Sequence, residues 1–212
     1  MKKNSWKIIF SSLIVLMPML AGFILWKELP EQIPTHWNWQ GEADAWSSKL
    51  FAVIGMPVFL LAMHLFCLWA TSKDEKNKTQ SKIIFNLTMC IVPAVSIFIG
   101  ALTYSEVLGG TFKATGILSV FLGILFICIG NYMPKCKPNR TIGIRVKWTL
   151  ENEENWYATH RFGGRVAMLG GLAVLLTVFL PETVISIAFI AVLAVIAIIP
   201  IVYSYVYSKK HK

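Results

Sequence analysis

Six long apolar blocks constrain this chain more than any other feature of its sequence. A helix needs roughly 20 apolar residues to cross a hydrocarbon core about 30 Å thick, and a helix satisfies every backbone polar group within one segment, as lipid requires. The fifth block is short, but Gly163 and Gly164 extend it. We therefore predict an all-α integral membrane protein with six transmembrane helices, formed by Ile8–Trp26, Leu50–Ala70, Ile83–Thr103, Ala114–Tyr132, Val166–Leu180 and Thr183–Tyr207.

The positive charge is unevenly distributed between the segments that connect these blocks. Of the 20 Lys and Arg residues, 17 fall in the termini and the second and fourth connecting segments, and three fall in the others. Cytoplasmic segments of membrane proteins carry such an excess. Both termini are therefore predicted to be cytoplasmic, and the net charge of +9 is a topology signal rather than a sign of direct nucleic-acid binding. The first block is expected to be retained, because its apolar run is longer than that of a signal peptide.

Three parts of the chain follow from this arrangement. Residues 1–70 form an N-terminal two-helix unit with an outer loop at 27–49, residues 71–133 contain helices three and four, and residues 134–212 contain a basic cytoplasmic segment plus helices five and six. The linker SKDEKNKTQSK between helices two and three is interpreted as a plain charged turn. Because the predicted spans contain no Asp, Glu, Lys or Arg, a proton-coupled transporter is the weaker hypothesis.

The outer loop is predicted to be ordered but not helical. Pro30 and Pro34 disfavour a helix, and Gly41 is expected to supply a turn. Its tryptophans suit either an interfacial belt or a small packed cap on the outer face; they are Trp37, Trp39 and Trp46. A cation could bind to its His and acidic residues, but their spacing matches no known site, and we predict no metal there; they are His36, Glu42 and Asp44.

The basic segment KPNRTIGIRVKWTLENEENWYATHRFGGR is predicted to be an extended strap followed by an amphipathic helix. Gly143 indicates a turn or a close backbone approach, and Thr149 is a plausible N-cap ahead of a glutamate-rich first turn. Such a helix could lie in the membrane interface, with its basic residues near anionic lipid head groups. Four residues share one helical face by their spacing: Trp156, Thr159, His160 and Gly163.

Small residues and prolines inside the spans indicate where helices pack closely or bend. Gly163, Ala167 and Gly171 form a ladder at intervals of four residues, widened by Gly164 and Gly170, and such ladders let helices approach closely in lipid. Proline in a membrane span is tolerated and can kink it; prolines inside the predicted spans are Pro18, Pro57, Pro93 and Pro200.

The residues that usually carry chemistry are scattered. By the predicted topology His36 lies outside, His160 and His211 lie inside, and His64 lies within helix two, so His36 and His160 cannot share a zinc ion. The chain has no H-E-x-x-H or G-x-S-x-G motif, and its four cysteines have no metal-binding spacing. We predict no cofactor and no enzymatic activity. His64 is either a functional intramembrane group or, as we prefer, a neutral imidazole bonded to a neighbouring helix.

Residues 130–165 resemble the signature region of the SdpI family of bacterial membrane proteins. The matching elements are Asn131, Pro138-Asn139-Arg140, Gly143-Ile144-Arg145, Trp148-Thr149-Leu150, Trp156, Thr159-His160-Arg161 and Gly163-Gly164. Many members carry Thr-Pro before the first Trp, where this chain has Val146 and Lys147. Residues 34–44, PTHWNWQGEAD, resemble the short N-terminal domain of unknown function that often precedes this region.

The resemblance implies immunity to a secreted, membrane-active peptide toxin and, when toxin is present, retention of a winged-helix repressor at the membrane. The toxin would meet the outer loop, at Pro34, His36, Asn38, Gly41 and Asp44. The repressor and membrane lipid would meet the signature residues, namely Asn131, Asn139, Arg140, Gly143, Arg145, Trp148, Thr149, Trp156, Thr159, His160, Arg161, Gly163 and Gly164. Two other hypotheses are a small exporter of amphiphilic peptides and a membrane enzyme acting on lipid or toxin.

Overall fold

A computed structural model describes residues 5–38, 40–110 and 114–211, apart from the side chains of residues 78, 79, 182 and 183. Trp39 and the lysines at positions 2, 3, 113 and 212 lie outside these residues. The described residues contain six helices long and apolar enough to cross a membrane, which confirms the predicted number of spans; they are Ser5–Ile24, Phe51–Lys73, Lys82–Val107, Ala114–Lys135, Glu153–Phe179 and Val184–Lys210. The orientation of the termini stays a prediction.

The chain forms two compact units. Unit 1 comprises residues 1–69 and 85–114, and unit 2 comprises residues 70–84 and 115–212. The second and third spans, Phe51–Lys73 and Lys82–Val107, each begin in one unit and end in the other. The three-part division predicted from the sequence stays a prediction about function.

Unit 1 contains two irregular spans. In each, the irregularity lies beside a proline that the sequence placed inside the span. The first span is broken at Leu16, between α1 (Ser5–Val15) and α2 (Met17–Ile24), with Pro18 at the start of α2. The second begins with a π-helical turn, Phe51–Gly55, directly before α3 (Met56–Lys73), whose second residue is Pro57. Proline lacks an N–H and its ring clashes with the preceding turn, so the regular ladder ends at these points.

The third span is the long helix α4 (Lys82–Val107), and two of its side chains bond to carbonyl groups beside the break in the first span. The Ser96 hydroxyl donates to the carbonyl of Val15 at 2.7 Å, and the Tyr104 hydroxyl donates to that of Pro18 at 2.9 Å. In lipid such carbonyls need a partner from a neighbouring helix.

The outer loop contains a β-hairpin, which the all-α prediction missed. Strand β1 (Gln32–Trp37) pairs antiparallel with β2 (Ala43–Ser48), and the register shifts on either side of His36. One buried side chain explains the position of β1: Ile33 is fully buried in a cluster with Leu29, Val53 and Tyr104, whereas Gln32 and His36 of the same strand are exposed. The hairpin thus has one face on the helices, which is what a two-stranded sheet needs to be stable.

Unit 2 is built around a single long helix. It contains α5 (Ala114–Tyr132), the short α6 (Lys147–Glu151), α7 (Glu153–Leu176) and α8 (Glu182–Lys210), with 3-10 turns at Glu75–Thr79, Met133–Lys135 and Thr177–Phe179. Helix α7 packs on α8 and also contacts α6 and the turn that follows α5. The predicted amphipathic helix and the short fifth span are therefore one continuous helix, with Gly163 and Gly164 in its interior.

Two local predictions for this region were wrong. Thr149 does not cap the long helix, because it lies within α6; the N-cap is Asn152, whose side chain accepts from the backbone N–H of Asn155 at 2.9 Å. The run at 141–148, which was predicted to be extended, is an irregular loop as far as Val146 and enters α6 at Lys147. Asn152 therefore binds a free backbone N–H group at the start of α7, which is the role that Thr149 was expected to have.

Candidate functional site

The loop at residues 136–146 is organised by the buried side chain of Asn139. Its amide nitrogen donates to the carbonyls of Lys137, at 2.9 Å, and Ile142, at 3.0 Å. Its oxygen accepts from the backbone N–H groups of Thr141, at 2.8 Å, and Ile142, at 2.6 Å. Asn is suited to this position because one amide supplies both donors and acceptors to a turn of the backbone.

The linker between α3 and α4 supports the same loop, so its interpretation as a plain charged turn was wrong. Asp74 accepts from the backbone N–H of Arg140 at 2.6 Å, and Asn77 donates to the Thr141 hydroxyl at 2.6 Å. The Gln80 amide pairs with both backbone groups of Lys137, at 2.7 and 3.0 Å. The spacing of these three residues, at every third position, is the sequence signal that could have revealed the contact.

Gly143 is required by a close approach of the backbone to His160. Its φ of 105° lies in the left-handed region, and a Cβ placed there would collide with the imidazole of His160. The next backbone N–H, of Ile144, donates to Nε2 of His160 at 3.1 Å. The predicted turn or close approach at Gly143 is therefore confirmed, and its reason is access of the backbone to a buried ring.

The bonds of His160 define its tautomer. Nδ1 lies 2.8 Å from the carbonyl of Trp156, so it must carry a hydrogen, while Nε2 accepts from Ile144 and must not. The ring is fully buried and stacked on the indole of Trp156, with centroids 4.0 Å apart. His160 is thus a neutral structural histidine in this arrangement, held between the loop and α7.

Trp156 joins α7 to the loop from the other side of this stack. Its Nε1–H donates to the carbonyl of Cys136 at 2.8 Å, and its side chain is fully buried in a cluster with Ile84 and Cys136. Burial raises the pKa of the Cys136 thiol to about 11, with a hydrogen bond from Asn139 acting in the opposite direction. Cys136 is therefore an interior residue although it lies in a loop.

A second polar cluster, which the sequence did not reveal, fastens α7 to α8. The Asn155 amide donates to the carbonyl of Ser204 at 3.0 Å, and its oxygen accepts from Thr159, at 2.8 Å, and Ser204, at 3.1 Å. All three side chains are fully buried. Thr149 acts similarly within the loop, where its hydroxyl donates to the carbonyl of Ile144 at 2.8 Å. The predicted shared face of α7 is confirmed by the burial of Trp156, Thr159, His160 and Gly163.

Glycines of α7 contact helices on two sides. A Cβ on Gly164 would lie 2.6 Å from the carbonyl oxygen of Gly130 in α5, and a Cβ on Gly171 would lie 2.6 Å from that of Gly123. Gly163 instead faces Ile144 and Pro200. The predicted ladder therefore serves two interfaces, and close backbone packing is possible only without side chains there.

The remaining signature residues are accessible. Arg140, Gly143, Arg145, Arg161 and Asn131 are exposed, and Trp148 is half-buried with its ring edge-on to Tyr205 at 5.0 Å. The Arg145 guanidinium donates to the carbonyl of Arg140 at 2.5 Å, which ties both arginines to one loop. The structure thus separates the signature into an interior set and a surface set. Binding by either set stays a prediction.

The hairpin of unit 1, residues 32–48, holds the other candidate residues. Gly41, with φ 76°, forms the predicted turn, and the Asn38 side chain accepts from the N–H groups of Gln40, at 2.9 Å, and Glu42, at 3.0 Å. His36 and Asp44 form an exposed pair at 2.6 Å. Pro34 is buried and lies opposite Trp46, which is exposed.

The base of the hairpin is closed by a buried lysine. Nζ of Lys49 donates to the carbonyl of Trp26 at 3.2 Å and lies 3.1 Å from a carboxylate oxygen of Glu31. Beneath the hairpin is a cavity of about 30 Å³, lined mainly by apolar residues together with Thr35 of β1, Ser96 and Tyr104. The hairpin is therefore attached to the helices of unit 1 through both packing and hydrogen bonds.

Within residues 5–38, 40–110 and 114–211, no three His, Cys, Asp or Glu side chains converge as a metal site would require. The His36–Asp44 pair lies outside any such group.

Comparison with known proteins finds two matched regions, one that contains the hairpin and one that contains the loop at 136–146 and α7. The SdpI/YfhL protein family matches residues 135–204, and a domain of unknown function, DUF1648, matches residues 13–61. The immunity protein SdpI of Bacillus subtilis (strain 168) is 32% identical over 211 residues, which cover 99% of this chain and 98% of that protein. This chain belongs to the SdpI family. It is a multi-pass protein of the bacterial membrane. No solved structure matches the chain.

The two family matches fall on different parts of the structure. The family match begins at Lys135, in the turn after α5, and ends at Ser204 of α8, so it includes the loop around Asn139 and the Asn155–Ser204 cluster. The match to DUF1648 includes the second half of the first span and the hairpin. Each matched region therefore lies mainly within one structural unit.

Proposed function

We propose that this SdpI-family protein is a membrane immunity protein that protects a bacterium from a secreted, membrane-active peptide toxin. The observation that carries the proposal is the similarity to the immunity protein SdpI over 99% of the chain, which includes both motif regions. The proposed protection does not involve enzymatic activity, so toxin incubated with the pure protein should be recovered chemically unaltered.

The proposed orientation places both termini in the cytoplasm and the hairpin outside. Its support is the distribution of 17 Lys and Arg residues against three. In unit 2 the basic residues of the loop, the start of α7 and the end of α8 lie at one end, because the N-terminal part of α7 packs on the C-terminal part of α8. That end is the proposed cytoplasmic end.

The hairpin is the proposed site of contact with toxin. Its exposed residues include His36, Asp44 and Trp46, which offer a hydrogen-bonded His–Asp pair and a large aromatic side chain. Aromatic side chains are common anchors of protein interfaces. Pro34, Asn38 and Gly41 would act by shaping the hairpin rather than by contact, since they are buried or engaged in its turn.

The exposed signature residues of the loop and α6 are the proposed docking site for a cytoplasmic winged-helix repressor. Arg140 and Arg145 are exposed and Trp148 is partly so, whereas Trp156, Thr159 and His160 would position the loop from within. Toxin can alter repressor binding only if it binds two conformations of the protein with different affinity.

A killing curve tests the immunity proposal. Toxin-sensitive bacteria that express this chain should survive a secreted killing peptide that kills cells with an empty vector. A variant with H36A and D44A should lose protection while remaining in the membrane, and E75A with K76A, a charged pair in the linker, is the matched control. Killing of the wild-type strain at the control rate, with the protein shown in the membrane, would refute protection against that toxin.

An exporter of amphiphilic peptides is the second candidate, because of His64. This side chain is fully buried in α3, its Nε2 lies 2.9 Å from the Ser11 hydroxyl, and its Nδ1 has no partner among the described residues. Intramembrane ionisable groups often belong to transport paths. If protection collapses when the proton-motive force is dissipated, or in H64A with normal expression, export is favoured over binding.

A further inference from the structure

Two arginines lie on the membrane side of α7. Arg161 and Arg165 are exposed, one turn apart, and the same face continues with the exposed side chains of Leu169, Leu172 and Leu176. The opposite face is buried and consists largely of glycine and alanine. Neither guanidinium has an ion pair or a hydrogen bond to any other described residue. The sequence alone placed both in a cytoplasmic connecting segment.

The length of the fifth span places these arginines at the edge of the hydrocarbon. The helical segment ends at Phe179, and the chain then turns at Pro181 into α8. At 1.5 Å per residue, Arg165 is about 21 Å and Arg161 about 27 Å from Phe179 along the axis. Both distances are shorter than the roughly 30 Å of a hydrocarbon core. An arginine at this depth needs a polar partner drawn from the head groups or the water beyond.

The geometry of a helix directs both side chains toward that partner. Side chains on a helix tilt toward its N-terminus, and the N-terminal end of α7 is the end that carries the loop and its basic residues. The guanidinium groups therefore extend toward the nearer membrane surface while their methylene stems stay along the apolar face. Arginine matches a phosphate with two parallel hydrogen bonds, and the match is charge-complementary.

We propose that Arg161 and Arg165 bind the phosphate of an anionic phospholipid whose acyl chains lie along Leu169, Leu172 and Leu176. The phosphate supplies the negative charge that no described residue offers to the two guanidinium groups. The leucines supply an apolar surface at the depth of the acyl chains. The bound lipid stabilises the short fifth span in a bilayer thicker than its apolar length.

Native mass spectrometry tests this lipid site. The intact protein is released from micelles that contain equal amounts of phosphatidylglycerol and phosphatidylcholine, and the bound lipids are counted. The wild type should retain phosphatidylglycerol preferentially. The variant R161Q/R165Q should bind it roughly tenfold or more weakly, because both positive charges that attract the anionic head group are removed. K209Q/K210Q, which removes the same charge from the end of α8, is the matched control.

Three outcomes would overturn the proposal. The first is a wild-type protein without preference for the anionic lipid, a result that does not depend on any variant being folded. The second is an equal loss in R161Q/R165Q and K209Q/K210Q, which would show attraction to the general charge of this end. The third is displacement of the lipid by glycerol phosphate at the same phosphate concentration, which would identify a site for free phosphate. R161K/R165K, which keeps the charge, should retain binding only in part.

Discussion

The hairpin of unit 1 and the signature segment of unit 2 both contain Trp, Asn, His and Gly residues, yet their polar side chains have opposite environments. In the hairpin, His36, Asp44 and Trp46 are exposed, and the bonds of Asn38 stay within one turn. In the signature segment, Asn139 and His160 are buried and bond to backbone groups up to 16 residues away. A dense polar motif can therefore be a contact surface in one region and an internal framework in another.

The difference has a physical cause. The loop at 136–146 contains little regular structure, so its backbone N–H and C=O groups need side-chain partners once they are buried. The hairpin satisfies its backbone through the pairing of β1 with β2, which leaves its polar side chains free for the surface. Substitutions at matched residues of the two regions should therefore have unequal effects.

The largest difference is expected between two tryptophans. W156A should destabilise the protein by about 3–5 kcal/mol, because it leaves a cavity under a fully buried ring and removes the bond to the carbonyl of Cys136. W46A, at a side chain that is 54% exposed, should change stability by less than about 0.5 kcal/mol. Far-UV circular dichroism during unfolding in mixed micelles measures both. Equal effects would contradict the assignment of interior and surface.

The second difference concerns thiol reactivity. With a pKa of about 11 and 2% exposure, Cys136 should react with a soluble maleimide at pH 7–8 on the order of a hundredfold more slowly than an exposed cysteine. The comparison is Q40C in the hairpin, in a background that lacks the other cysteines. The thiolate forms as pH rises through the folded pKa, so the rate should still be increasing at pH 9. Rapid labelling of native Cys136 would show that the loop opens.

The third difference lies between two asparagines. N139D should cost about 1–3 kcal/mol, because a carboxylate cannot donate to the carbonyls of Lys137 and Ile142. N38D keeps both acceptor bonds in the exposed turn and loses only the 3.4 Å bond to Glu42, so it should cost less than about 0.5 kcal/mol. The unfolding free energies of the two variants are compared in the same micelles. A neutral N139D would mean that water reaches this loop.

The smallest difference is expected between two aspartates. D74A removes the cap of the turn at Glu75–Thr79 and the bond from Arg140, and it should cost about 1 kcal/mol. D44A breaks an exposed pair with His36 and should cost less than about 0.5 kcal/mol. The midpoints of thermal unfolding rank the two. A larger loss for D44A would reverse the comparison and give the hairpin an unexpected structural role.

Much of the architecture was predictable because membrane insertion is encoded locally. Twenty consecutive apolar residues determine a span whatever surrounds them. Pro18 and Pro57 marked irregular points at Leu16 and at Phe51–Gly55, whereas Pro93 and Pro200 lie inside continuous helices. The spacing of Trp156, Thr159 and His160 predicted their shared face. These are properties of neighbouring residues, and a single helix expresses them.

The tertiary structure decided which polar residues are buried and what they bind. Asp74 contacts a loop 66 residues away, and Asn155 contacts Ser204 49 residues away. The hairpin likewise depends on Ile33 meeting Val53 and Tyr104. Such contacts depend on how the helices pack. A buried backbone group is satisfied by whichever side chain the fold brings within about 3 Å, and sequence spacing does not specify that partner.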